Sequence, residues 1–116
     1  PPRGSFDPVA AKRGELVFDG PGKCAACHMG TLGTAPGYNA VKPAQICIDS
    51  FTADRGPDGT YTIAPLQALF TRSKRGFYHD GRFATLMDVV NHYDSCFKLG
   101  LSPQQKSDLV QYLKSR

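Results

Sequence analysis

The sequence predicts an all-α domain of three or four short helices separated by long loops. Three observations predict it. Amphipathic stretches opened by capping residues lie at both ends and in the second half of the chain. Gly 12 and Pro 9 among 116 residues predict long irregular segments around short helices. A Cys24-Ala25-Ala26-Cys27-His28 segment follows directly on the first amphipathic stretch. At this length one core must serve everything, so residues 1–116 read as a single domain.

The elements follow in order. Asp7 before Pro8 reads as an N-cap with proline at the first helical position. Ala10, Gly14, Val17 and Phe18 then share one face, with a notch at Gly14 where another helix can approach closely. Gly20-Pro21-Gly22 ends that helix. From Gly30 to about Tyr61, repeated Gly and Pro with no sustained period predict loops. Pro65 to Ser73 predicts a short helix with Leu66, Leu69 and Phe70 on its buried face. Thr85 caps a helix whose Leu86, Val89, Val90 and Tyr93 recur at helical spacing, leaving His92 on the surface. Ser102-Pro103-Gln104-Gln105 is a capping-box pattern opening a last helix with Leu109, Tyr112 and Leu113 inward. The first and last helices are expected to cross at Gly14.

Composition excludes several classes. With 41% hydrophobic and 21% charged residues the chain is globular rather than disordered, and its longest apolar run is far short of a membrane span. The net charge of +4 is not gathered into a basic run, so the footprint of a nucleic-acid binder is missing.

Four cysteines say more than composition does. Cys24-Ala25-Ala26-Cys27-His28 is the C-x-x-C-H pattern of covalent haem attachment. Two intervening residues let one turn of chain offer both sulfurs to one haem edge, and the next residue, His28, then lies beneath the ring as the axial base. A thioredoxin-like redox pair would need a βαβ context, and half of a zinc site would need a second ligand pair; the sequence offers neither. The expected cofactor is therefore one haem c, bound through Cys24 and Cys27. Attachment of this kind in bacteria happens outside the cytoplasm, which predicts an exported, periplasmic protein. Disulfides persist there, so Cys47 and Cys96 are expected to pair, two buried free thiols being the other reading. No charged segment and apolar stretch of a signal peptide follow Pro1, so the chain reads as processed or cut from a longer protein.

A helix leading into C-x-x-C-H, a loop-rich middle and an amphipathic last helix together resemble a class I cytochrome c domain. The second half carries a narrower likeness. Gly76-Phe77-Tyr78-His79-Asp80-Gly81-Arg82-Phe83-Ala84-Thr85-Leu86, then Asp88-Val89-Val90, then Leu101 to Lys106 and Asp108-Leu109-Val110 resemble the C-terminal haem domain of the bacterial dihaem cytochrome c peroxidases. That family includes the maturation enzyme of methylamine dehydrogenase. The resemblance implies a second axial ligand fourteen residues after the His of His-Asp-Gly, which from His79 reaches Tyr93. It also implies that His79 lies beside the haem, hydrogen-bonding a propionate or the ligand.

The residues themselves leave alternatives. Tyr93 sits on the inward face of its helix, where it could instead hydrogen-bond a propionate or a carbonyl. Met29 follows His28 too closely to reach the opposite face, and Met87 reads as a core filler. His79 is an alternative axial ligand. Arg82, with Arg72, Lys74 and Arg75, either neutralises propionates, forms a solvated basic face or steers an acidic redox partner. The function expected first is electron transfer to a redox partner protein or another haem domain, through a His28/Tyr93 haem. The alternatives are a peroxidase-like or oxygen-activating enzyme and a ligand-sensing haem module. The resembling family's peroxide-reacting haem lies in its other domain, whereas this chain has one C-x-x-C-H.

Overall fold

Asp7 opens helix α1 (Pro8–Asp19) by accepting hydrogen bonds from Val9 N at 2.9 Å and Ala10 N at 3.1 Å. The computed structural model describes residues 1–30, 40–78 and 80–116. The other two α-helices, α2 (Leu86–Phe97) and α3 (Pro103–Lys114), each begin with a reciprocal capping box. Thr85 pairs with Asp88, and Ser102 with Gln105. All three helices start where the sequence places them, and α2 runs one turn past Tyr93.

The loops hold short 3₁₀ turns and one small ribbon. Strand β1 (Ala40–Val41) pairs antiparallel with β2 (Tyr61–Thr62), matching Ala40 to Thr62 and Val41 to Tyr61. Tyr61 organises the loop between them, donating to Asp49 O at 3.1 Å and accepting from Ala53 N at 3.2 Å. The helix expected over Pro65–Ser73 does not form. Two 3₁₀ turns, Leu69–Thr71 and Ser73–Arg75, take its place. Ala64 offers no capping side chain, and Ala68 adopts a left-handed φ of 57°, outside the helical region, just before the first of these turns. Leu69 is buried as expected, but Phe70 lies 44% exposed.

The core sits where α1 crosses α3. Val17, Phe18, Leu69, Val90, Leu101, Leu109, Val110 and Leu113 form one buried cluster. Phe18 meets Tyr112 edge-on at 5.1 Å between ring centroids. Beside it, Arg13 grips the buried Asp108 with two hydrogen bonds of 2.9 Å, and Gln104 donates a third of 2.9 Å. The Arg13 hydrogen bond holds the Asp108 carboxyl below the ordinary carboxylate range. The pair therefore supports the fold above about pH 4 and loses that support as acid protonates the carboxyl.

Cys47 and Cys96 form a disulfide between chain segments 49 residues apart, tying the Pro43–Ile46 turn to α2. Closing a loop of this length is worth about 4 kcal/mol by chain entropy, cut to about 3 kcal/mol by residual structure in the unfolded chain. Replacing both cysteines by serine is expected to lower unfolding free energy by that amount in a denaturant titration. An unchanged midpoint would show that the bridge constrains nothing.

Candidate functional site

Gly22 brings the chain hard against α1 before the cysteine segment begins. A Cβ there would stand 2.7 Å from Val17 O. Lys23 follows with a left-handed φ of 55°, and Cys24–Ala26 form a single 3₁₀ turn. Cys27 N and His28 N both donate to Cys24 O, at 3.2 and 2.9 Å. This one turn carries the two free thiols and the imidazole together, all three half-buried.

They line a cavity of about 250 Å³. Its floor is Phe18 of α1 with Leu109 and Leu113 of α3, and one wall comes from Leu86, Val89, Val90, Tyr93 and Phe97 of α2. Val41, Ile46 and the Tyr61–Leu66 segment close one side, and Gly76, Phe77 and Tyr78 another. The lining is apolar apart from a few groups: the Cys24 and Cys27 thiols, the His28 imidazole, the Tyr61, Tyr78, Tyr93 and Thr62 hydroxyls, and the cations Lys23 and Arg72. Among the described residues no Asp or Glu reaches it.

Electrostatics narrows the chemistry. Burial pushes the Cys24 thiol up to about 11, so it is a neutral thiol at pH 7. A redox C-x-x-C pair works through a thiolate with a lowered pKa, the opposite arrangement. Among the described residues no three His, Cys, Asp or Glu side chains converge on a point, so the half-site reading for zinc finds no other half. Tyr93 is also held protonated, first by burial, then by its hydrogen bond to Tyr78, with the nearby Cys27 and Cys24 adding less. Its hydroxyl donates to Tyr78 Oη at 3.2 Å. Two thiols, an imidazole and three phenols around an apolar cavity, with cations and, among the described residues, no carboxylates at its border, fit a flat apolar ring carrying acidic substituents.

The expected site residues divide. Cys24, Cys27, His28 and Tyr93 share the cavity. Arg82 lies outside it, in a surface depression with Phe83, His92 and Cys96. Its guanidinium binds Asp80 through contacts of 2.7 to 3.1 Å and Asp49 at 2.7 Å. Arg72, from the same basic group, does line the cavity and donates to Pro65 O at 3.2 Å. Met29 is 46% exposed, while Met87 packs against the core cluster. The expectation at His79 falls outside the described residues.

The expectation at His92 is also overturned. His92 is half-buried rather than on the surface, with Nε2 donating to Ile46 O at 2.7 Å. Its ring meets those of Phe83 at 5.1 Å, Tyr93 at 5.2 Å and Tyr78 at 5.6 Å. The loop tied down by Cys47–Cys96 covers a helix flank that periodicity along α2 alone leaves open. Sequence reasoning also missed Tyr78 and Phe97. Phe97 stands one turn beyond Tyr93 and stacks on it at 5.7 Å, so carrying the helical spacing one step further would have found it.

Among the described residues no helix is long and apolar enough to cross a membrane. Searches of curated proteins and of solved structures return no significant match. The sequence profile of the cytochrome c family matches residues 11–116, from within α1 through α3. Domains of this family bind haem c covalently, pass electrons to partner proteins and are typically exported or periplasmic. With its C-x-x-C-H turn opening onto an apolar cavity between three helices, the chain belongs to the cytochrome c family.

Proposed function

We propose that the chain is a monohaem electron-transfer domain in which Cys24 and Cys27 hold haem c by thioether bonds, His28 is one axial ligand and Tyr93 the other. The observation that carries this reading is that Tyr93 of α2 lines the same cavity as the Cys24–His28 turn. Both available methionines are placed elsewhere, Met29 at the exposed surface and Met87 against the core, which leaves the phenol as the better-situated donor. The narrower resemblance to the C-terminal domain of dihaem peroxidases implies the same His/Tyr pair.

When bound, the haem supplies a one-electron iron couple, and a phenolate ligand lowers its potential by stabilising the oxidised state. The protein's part is to bind, orient and exclude water. The α2 wall and the floor from α1 and α3 keep the site apolar, and Phe97, 45% exposed and stacked on Tyr93, joins it to the surface. Lys23 and Arg72 are the cations placed to neutralise propionates. Arg82, already paired with two carboxylates, instead shapes the 76–83 turn. The Cys47–Cys96 disulfide agrees with the periplasm as the working compartment. The partner is a redox protein or another haem domain.

The test is mass spectrometry of the denatured holoprotein with a potentiometric titration. Electron transfer predicts the mass of one retained haem, one reversible one-electron wave at low potential and a six-coordinate spectrum that does not consume peroxide. A five-coordinate spectrum with rapid peroxide turnover would overturn it in favour of an enzyme.

A further inference from the structure

Tyr78 stands in a conformation that its side chain does not favour. Its φ of 80° lies in the left-handed region, where a bulky non-glycine residue is a genuine outlier. The surrounding turn enforces it. Phe77 and Phe83 exchange backbone hydrogen bonds of 2.7 and 3.3 Å across the turn's neck. Inside that neck a Cβ on Gly76 would stand 2.3 Å from Gly81 O, so the two arms of the turn can approach this closely only with glycine there. Arg82 then ties the turn to Asp80 and to Asp49 of a distant loop. The Tyr78 ring is wedged edge-on against Phe83 at 5.3 Å and His92 at 5.6 Å, which fixes its direction into the cavity.

What this turn delivers is a hydroxyl 3.2 Å from that of Tyr93. A phenylalanine would satisfy the ring packing equally well. The hydroxyl is therefore the group that needs an explanation, because burying one in an apolar cavity is costly unless it is hydrogen-bonded.

We propose that Tyr78 is a positioning residue for Tyr93: its hydroxyl, which here accepts from the Tyr93 hydroxyl, fixes where the Tyr93 oxygen points and, in the holoprotein, donates to that oxygen while it ligates iron as a phenolate. The inference rests on the reading of Tyr93 as axial ligand and assigns the group that tunes it. Partners that hydrogen-bond a ligand orient it and adjust its donor strength, and their loss is felt at the metal. A hydrogen bond to the ligand oxygen draws electron density from it, weakens its donation to iron and raises the potential. Tyr78 thereby offsets part of the lowering that a phenolate imposes.

The experiment compares resonance Raman spectra and midpoint potentials of wild-type holoprotein, Tyr78→Phe, Tyr93→Phe and the double variant. In wild type the iron–phenolate band is expected to shift in deuterated water, which reads the hydrogen bond with no substitution at all. Tyr78→Phe is expected to keep the band, move it to higher frequency, abolish the deuterium shift and lower the potential. In the Tyr93→Phe background, which has no such band, the same substitution is expected to leave the potential unchanged. A general structural role would move both backgrounds alike and overturns the proposal. So does a Tyr78→Phe protein identical to wild type while Tyr93→Phe loses the band, a result that leaves the Tyr93 ligand intact. Absence of the band from wild type removes the Tyr93 reading itself, and the role of Tyr78 with it.

Discussion

Gly14→Val is expected to abolish cooperative folding. A Cβ at Gly14 would stand 2.0 Å from Asp108 O and 2.9 Å from Tyr112 Cβ, and the first of these atoms belongs to the backbone of α3. No side-chain rotation relieves that contact, so α1 and α3 must separate. Separation parts Phe18 from Tyr112 and Arg13 from Asp108, and opens the cluster around Leu109 and Leu113. Ordinary overpacking costs about 1–3 kcal/mol, and losing a helix–helix interface costs more. We expect at least about 5 kcal/mol, the scale of a small domain's whole stability. The opposing gain from removing a helical glycine is below about 1 kcal/mol. Gly14→Ala is the graded case, expected to lose about 3 kcal/mol in urea titration against Lys12→Ala as the exposed-helix control. A Gly14→Ala protein as stable as wild type would mean that the helices do not touch there.

The same crossing shows why parts of the fold were legible. Asp7-Pro8, Thr85 with Asp88, and Ser102 with Gln105 are local signals, because a cap is satisfied within its own first turn. The notch at Gly14 was legible because helical spacing puts Ala10, Val17 and Phe18 around it on one face. Cys24 to His28 was legible because its chemistry is contained in five consecutive residues. Pro65–Ser73 was misread because apolar spacing alone does not make a helix when no side chain caps it and Ala68 turns left-handed.

His92 shows the other limit. Its surroundings come from Ile46 on one segment and from Tyr78 and Phe83 on another, and nothing within α2 announces them. For Arg82 the sequence leaves open a propionate, a solvated basic face or an acidic partner protein, and it cannot supply Asp49, the carboxylate 33 residues away that the guanidinium meets. Tyr78 carried a faint signal in its flanking Gly76 and Gly81. Which way that turn aims its side chain is decided by Phe83 and His92 packing on it.

Replacing Cys24 and Cys27 together by alanine is expected to turn a permanently held cofactor into one that is lost. The cavity is bordered by half-buried apolar side chains, Leu66, Leu86 and Leu99 among them, that face it as well as the core cluster. Among the described residues no large side chain is completely buried, so the group that fills this cavity supplies contacts the polypeptide core does not. Tethering keeps such a group at an effective concentration in the millimolar range, whereas free haem at about 1 μM is roughly a thousandfold more dilute. Three decades of occupancy are worth about 4 kcal/mol of folding stability. Each single substitution leaves one thioether and keeps the tether, so its effect should be far smaller than half of the double. The measurement is extraction of haem into acidified organic solvent, with an unfolding titration on the same samples. Haem should leave the double variant completely and stay with both single variants. If it stays with the double variant through denaturation, Cys24 and Cys27 are not the points of attachment. If haem leaves while stability is unchanged, the cavity wall stands without it, and the three-helix core alone carries the fold.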